Sequence, residues 1–129
     1  MEDTIPHTFG NAQRDSRRGW FIGQFVEAEG GLRKRDDVEI KWGVHPAGEE
    51  RSVPWVAYRT STSIPILISG ECLIELRHGE ARTRVRLAAP GDYVIVPPLV
   101  EHGWRAVTDC IVLTVRCPSV PDDLVESSG

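Results

Sequence analysis

Between Trp20 and Cys117 the chain breaks into short runs of β-branched and aromatic residues, each closed within a few positions by Gly, Pro or a charged turn. Trp20-Phe21-Ile22-Gly23-Gln24-Phe25-Val26 reads as a first strand that Glu29-Gly30-Gly31 ends. Val38 to Val44 alternates apolar with polar or small residues until Pro46-Ala47-Gly48 turns the chain. Such alternation marks a strand with one buried face, because successive side chains point to opposite sides of the pleat. Further strands are predicted over Trp55–Thr60, Ile64–Ser69, Glu71–Arg77, Thr83–Leu87, Tyr93–Val96, Gly103–Ala106 and Cys110–Cys117, with a hairpin turn at His78-Gly79-Glu80. No segment keeps a helical period. About eight or nine short strands at this spacing predict an all-β sandwich, barrel or jelly roll.

A chain of 129 residues has room for one sizeable core, and 40% hydrophobic with 26% charged residues is a globular balance. The predicted layout is a flexible N-terminal arm over 1–18, a barrel over 19–117 and a flexible acidic tail over 118–129. A net charge of -4, from 19 acids against 15 bases, leaves no broad cationic surface for nucleic acid. No apolar run is long enough to span a membrane, and Met1 to His7 lacks the apolar core of a secretory signal, so a cytoplasmic location is expected. Cys72, Cys110 and Cys117 are odd in number, lack CxxC spacing and sit in apolar runs, which points to buried reduced thiols.

Two faces of the Val38–Val44 run carry different chemistry. Its inner face is read as Val38, Ile40, Trp42 and Val44. Glu39, Lys41 and His45 then lie opposite, solvated, or lining the pocket of a barrel with a wet interior, where they would orient a polar substrate. Arg82, Arg84 and Arg86 share the solvent face of a later strand.

The run Gly91-Asp92-Tyr93-Val94-Ile95-Val96-Pro97-Pro98-Leu99-Val100-Glu101-His102 resembles the second motif of the cupin superfamily: glycine, five residues, proline, one residue, glycine, two residues, histidine. Leu99 stands where the family has a glycine suited to positive φ, which predicts a reshaped turn. Upstream, Ile66-Leu67-Ile68-Ser69-Gly70-Glu71 is similar to the apolar strand that closes the first motif, and His45-Pro46-Ala47-Gly48 to the turn before it. Counting back from Gly70 puts Ser63 at the motif's glutamate and Val56 and Tyr58 at its two histidines. The resemblance covers Val38 to Val115 and implies a cupin-type double-stranded β-helix, a jelly-roll barrel.

Of the family's four metal ligands only His102 is present, so the resemblance implies a cupin without the usual metal centre and with no cofactor. In metal-independent cupins, sugar-nucleotide epimerases and ketoisomerases among them, a barrel histidine or tyrosine moves protons on a small molecule. His102 and Tyr58 are the catalytic candidates here, His102 as base or acid and Tyr58 as a donor, with Arg59 beside it. The histidine pair of dedicated ketoisomerases is absent. Ligand-binding candidates are Glu39, Lys41, His45, Arg59, Trp55 and Trp104, the two tryptophans as flat walls for a ring. Arg51, Arg59 and Arg105 flank the motifs and are candidates to hold a carboxylate or phosphate.

The leading reading is a small-molecule-binding cupin with isomerase-like or cyclase-like chemistry on a polar or cyclic metabolite. One alternative is a metal-dependent, oxygenase-like cupin with an irregular ligand set of His102, Tyr58 and His45 or Glu101. The other is a non-catalytic sensing module. The family resemblance also implies a homodimer, with Trp20 to Val26 at a two-fold interface.

Overall fold

The computed structural model describes residues 5–127. Among the described residues nine strands form two antiparallel sheets: β1 (Trp20–Ile22), β2 (Glu39–His45), β8 (Cys110–Cys117) and β4 (Thr62–Ser69) in that order, and β6 (Ala81–Leu87), β5 (Cys72–His78), β7 (Glu101–Ala106), β3 (Glu50–Tyr58) and β9 (Leu124–Ser127). The sheets meet over a shared apolar cluster, with Leu67, Cys110 and Val112 from the first and Cys72, Ile74, Leu87 and Ala106 from the second. Leu67 and Ala106 are fully buried. All three cysteines are free, Cys72 and Cys110 inside the core and Cys117 half-buried. No helix among the described residues is long and apolar enough to cross a membrane.

Strand β1 stops at Ile22 rather than Val26. Its partner β2 begins at Glu39, and Ile22 already pairs with Ile40, so the chain beyond has no edge to follow. It folds instead into 3₁₀ turns over Ala28–Arg33, with Val26 buried. Tyr93–Val96 is held to β4 only by isolated bridges, Tyr93 to Ile66 and Val96 to Ser63. Between those bridges lies Pro65, which accepts from the Val94 amide at 3.4 Å but has no N–H to return, so no continuous ladder forms.

The described parts of both terminal segments carry secondary structure. Of the segment 118–129, read as a flexible acidic tail, residues 118–127 are described and carry β9, which pairs with β3 from Leu124↔Tyr58 to Ser127↔Trp55. Asp123, buried, anchors it by accepting from the Thr60 and Ser61 amides. Within the arm, α1 (Ala12–Asp15) forms a single capped turn, the Asn11 side chain accepting from the Gln13 and Arg14 amides.

Two turns frame the motif segment. Gly70 has φ 83°, and a Cβ there would collide with the Asp109 carbonyl, so the β4–β5 turn needs glycine. Leu99 adopts φ 71°, the left-handed conformation that the missing glycine would have taken, and donates its amide to the Tyr58 carbonyl at 2.8 Å. The turn keeps its shape at a backbone cost of about 1–2 kcal/mol.

Candidate functional site

Register decides which side chains enter the barrel. Residues paired across an antiparallel ladder project to the same face, and Glu39↔Arg116↔Ser63, Lys41↔Thr114↔Pro65 and Gly43↔Val112↔Leu67 form successive rows across β2, β8 and β4. The fully buried Leu67 fixes these as the inward rows. The outward rows are Ile40↔Val115↔Ile64 and Trp42↔Leu113↔Ile66, followed by Val44↔Ile111. The face of β2 read as inner, Val38, Ile40, Trp42 and Val44, is therefore the outer one, and Val44 is 60% exposed. Alternation separates two faces without saying which is inside, and this barrel turns the polar one inward.

In the second sheet a bulge between Arg51 and Val56 brings Arg51, Val56 and Tyr58 onto one face of β3, beside Trp104 and His102 of β7. Lys41, Arg51, Tyr58, Ser63, His102, Trp104, Thr114 and Arg116 line a cavity of about 90 Å³, with Trp20 at its wall. Tyr58 and His102 face each other with ring centroids 5.7 Å apart. The Arg116 guanidinium lies between two rings, 3.8 Å from the Tyr58 centroid and 4.5 Å from that of Trp20. Gly43 makes room for the His45 ring, since a Cβ there would sit 2.7 Å from His45 Nε2. His45 stacks on Trp104 at 4.4 Å and pairs through Nδ1 with Glu49 at 2.6 Å.

The cavity is positive. Lys41, Arg51 and Arg116 line it, and among the described residues no carboxylate does. Arg116 reaches Glu39 at 3.5 Å, but its Nε and the Nε of Arg51 are buried with no hydrogen-bond partner among the described residues. Burial lowers the affinity of Lys41 for its proton, and Arg51 and Arg116 lower it further. His102 is driven down to about 4 by burial, with Arg51 and Arg116 adding and the Val100 carbonyl opposing. It is neutral at pH 7, its Nδ1–H donating to Val100 at 3.3 Å, which leaves Nε2 as a bare acceptor. Burial raises the Tyr58 hydroxyl, so it stays protonated and donates. The Cys72 thiol is pushed up to about 12 by burial and is no nucleophile.

These residues do not fit a transition-metal centre. Among the described residues no three His, Cys, Asp or Glu side chains converge, and a dication beside His102 would face Arg51 and Arg116. His45 is turned to Glu49, and Glu101 is bound to Arg77 at 2.9 and 3.0 Å.

Of the sequence-predicted residues, His102, Tyr58, Lys41, His45, Arg51 and Trp104 converge on the cavity. Glu39 is buried beside Arg116 but lines a neighbouring outer cleft. Three candidates lie elsewhere, one of them Arg105, which follows the inward Trp104 on β7 and is exposed. Arg59 is exposed and donates to the Asp122 carbonyl at 2.9 Å, because it follows Tyr58 on the opposite face. Trp55 precedes Val56 on that same outer side and packs under Arg77, whose Cζ is 4.6 Å from its ring. Arg116, Ser63, Thr114 and Trp20 were not among the candidates, although the register of Cys110, Val112, Thr114 and Arg116 at every second position carried the signal for two of them.

No protein-family model matches the sequence, and no curated protein is detectably similar to it. Solved structures are similar in fold. A double-stranded β-helix protein from Klebsiella pneumoniae superposes with a TM-score of 0.60 at 20% identity, covering 73% of each chain. KdgF from Halomonas sp. gives 0.55 at 24% identity, over 67% of this chain and 74% of that one. QdtA, a sugar 3,4-ketoisomerase from Thermoanaerobacterium thermosaccharolyticum solved in complex with TDP, gives 0.58 at 16% identity, over 81% and 72%. With two antiparallel sheets closed over one core and neighbours of this kind, the chain has a double-stranded β-helix fold.

Proposed function

We propose that this chain is a small-molecule-binding cupin that works without the usual metal centre, its polar chemistry residing in His102 and Tyr58. The observation that carries this reading is their juxtaposition: a neutral imidazole and a protonated phenol lie side by side on one wall of a cavity. Nε2 of His102 accepts and the Tyr58 hydroxyl donates, so a ligand held against both can lose a proton at one position and gain a hydrogen bond at another. That pairing suits isomerase-like or cyclase-like proton transfer. A structural neighbour solved with TDP supports a small-molecule role for the barrel.

Protein expressed with iron, zinc, nickel and manganese available is expected to purify with substoichiometric metal, and stoichiometric, chelator-removable metal would overturn the reading. Once a substrate is found, His102→Ala should abolish turnover and Tyr58→Phe should lower it while sparing affinity. The outer face of the first sheet, with Ile40, Trp42, Val44, Ile66, Ile111 and Leu113, supports a homodimer built across it. Light scattering should then give twice the chain mass, and Val44→Glu should halve it.

A further inference from the structure

We infer that the barrel cavity is a receptor for a small oxyanion, a carboxylate or phosphate, held by Arg51 and Arg116 with Lys41 beside them. The inference rests on the small-molecule reading above and adds the class of ligand. Three cations from three strands, β2, β3 and β8, point into one space, and no carboxylate among the described residues shares it. Left empty, such a cluster repels itself, since each charge is partly out of water and the others are close.

The hydrogen bonding is as informative as the charge. A guanidinium grips a carboxylate side-on through Nε and one terminal nitrogen, which gives two parallel bonds. In both arginines Nε is buried and has no hydrogen-bond partner among the described residues. Glu39 approaches only the Nη1 end of Arg116, at a loose 3.5 Å. The Arg116 plane is meanwhile fixed between Tyr58 and Trp20. Ser63, whose Cα pairs with that of Arg116, and Thr114 add small hydroxyls to the same wall.

Size narrows the class. A cavity of about 90 Å³ holds on the order of six to nine water-sized atoms. It is large enough to enclose inorganic phosphate or a short mono- or dicarboxylate and too small to enclose a whole nucleotide-sugar. An anion there would also change His102. From β3 Arg51 and Tyr58, from β8 Arg116 and from β2 Lys41 surround the imidazole, and the two arginines suppress its protonation. A bound anion offsets them, so the ligand restores basicity to the group that faces it.

The test titrates the purified full chain with malonate and with inorganic phosphate at ionic strength held constant by sodium chloride, following tryptophan fluorescence, since Trp20 and Trp104 line the cavity. Saturation by one or both is expected, weakened about tenfold or more in Arg51→Met, with Lys41→Gln as a second variant that leaves the Arg116–Glu39 contact intact. Which probe saturates distinguishes carboxylate from phosphate. Bound anion should also raise the titration midpoint of His102 in imidazole NMR, a readout that needs no variant. A response no different from chloride, or identical in wild type and both variants, overturns the proposal. Glycerol or xylitol saturating as well as the anions overturns it too while leaving the small-molecule barrel standing. No saturation by any probe, charged or neutral, sinks both.

Discussion

The two ends of this barrel are built on the same strands and obey opposite rules. Strand β8 begins inside the core at Cys110 and Val112 and ends at Thr114 and Arg116 in the cavity. Its antiparallel neighbour β4 runs the other way, from Ser63 and Pro65 in the cavity to Leu67 in the core. The cluster around Leu67 is filled and apolar; the cavity beside it holds three cations around a neutral histidine, and Cys72, Ile74 and Val112 form the wall between the two. The contrast separates what holds the fold from what the fold is for. Stability comes from the filled end, where apolar area leaves water, and the charged end draws on it.

Truncation should tell the ends apart most strongly. Leu67→Ala, at a fully buried site, is expected to cost about 3–5 kcal/mol in urea unfolding, with the anion response of the surviving folded protein unchanged. Arg51→Met at the other end should do the reverse, raising stability by about 1 kcal/mol because it relieves the repulsion among buried like charges, while weakening the anion response. If both substitutions destabilise alike, the two ends are one core and the division is false.

Acid gives a smaller contrast. The unfolded chain takes up the His102 proton near 6.5, the folded chain only near 4, so acid favours unfolding. The contribution is whole above pH ~6.5 and is lost as pH falls to about 4, up to about 3 kcal/mol in all. Urea midpoints measured between pH 7 and pH 4 should fall more steeply in wild type than in His102→Gln. Equal slopes would place His102 outside the desolvated region.

The smallest expected effect concerns the turn that delivers His102. Leu99→Gly removes the left-handed strain at φ 71° but adds the backbone entropy of glycine, for a net gain below about 1 kcal/mol. Thermal unfolding would show a slightly higher midpoint, and a lower one would mean that the exposed Leu99 side chain contributes contacts that outweigh the strain.

The fold was legible because each of its signals is local. Strand alternation, turn residues and the Gly91–His102 spacing all survive in a single sequence; His102 follows from that spacing, and Tyr58 from counting back from Gly70. Facing was not legible. On β2 the apolar residues looked inward by the ordinary preference for burying them, and a barrel with a polar interior inverts that preference. Arg116 was missed for a related reason: its strand is apolar enough to read as core, and only the pairing with Glu39 and Ser63 shows where it points. Arg59 and Trp55 failed by one residue each, on the wrong side of the pleat from Tyr58 and Val56. The strand at Leu124–Ser127 was hidden by the prolines and acids around it, because the β3 edge that receives it lies some seventy residues upstream.

Lys41, Arg51 and Arg116 stand on strands rather than loops, and Arg116 is clamped between two aromatic rings. Their positions are set before any ligand arrives, so little conformational entropy is lost when one does, and a molecule of few atoms can be held with high affinity per atom. The same rigidity imposes a limit. A receptor whose donors cannot move selects by where it places them, so an anion whose oxygens cannot reach both guanidinium groups would be held by one alone.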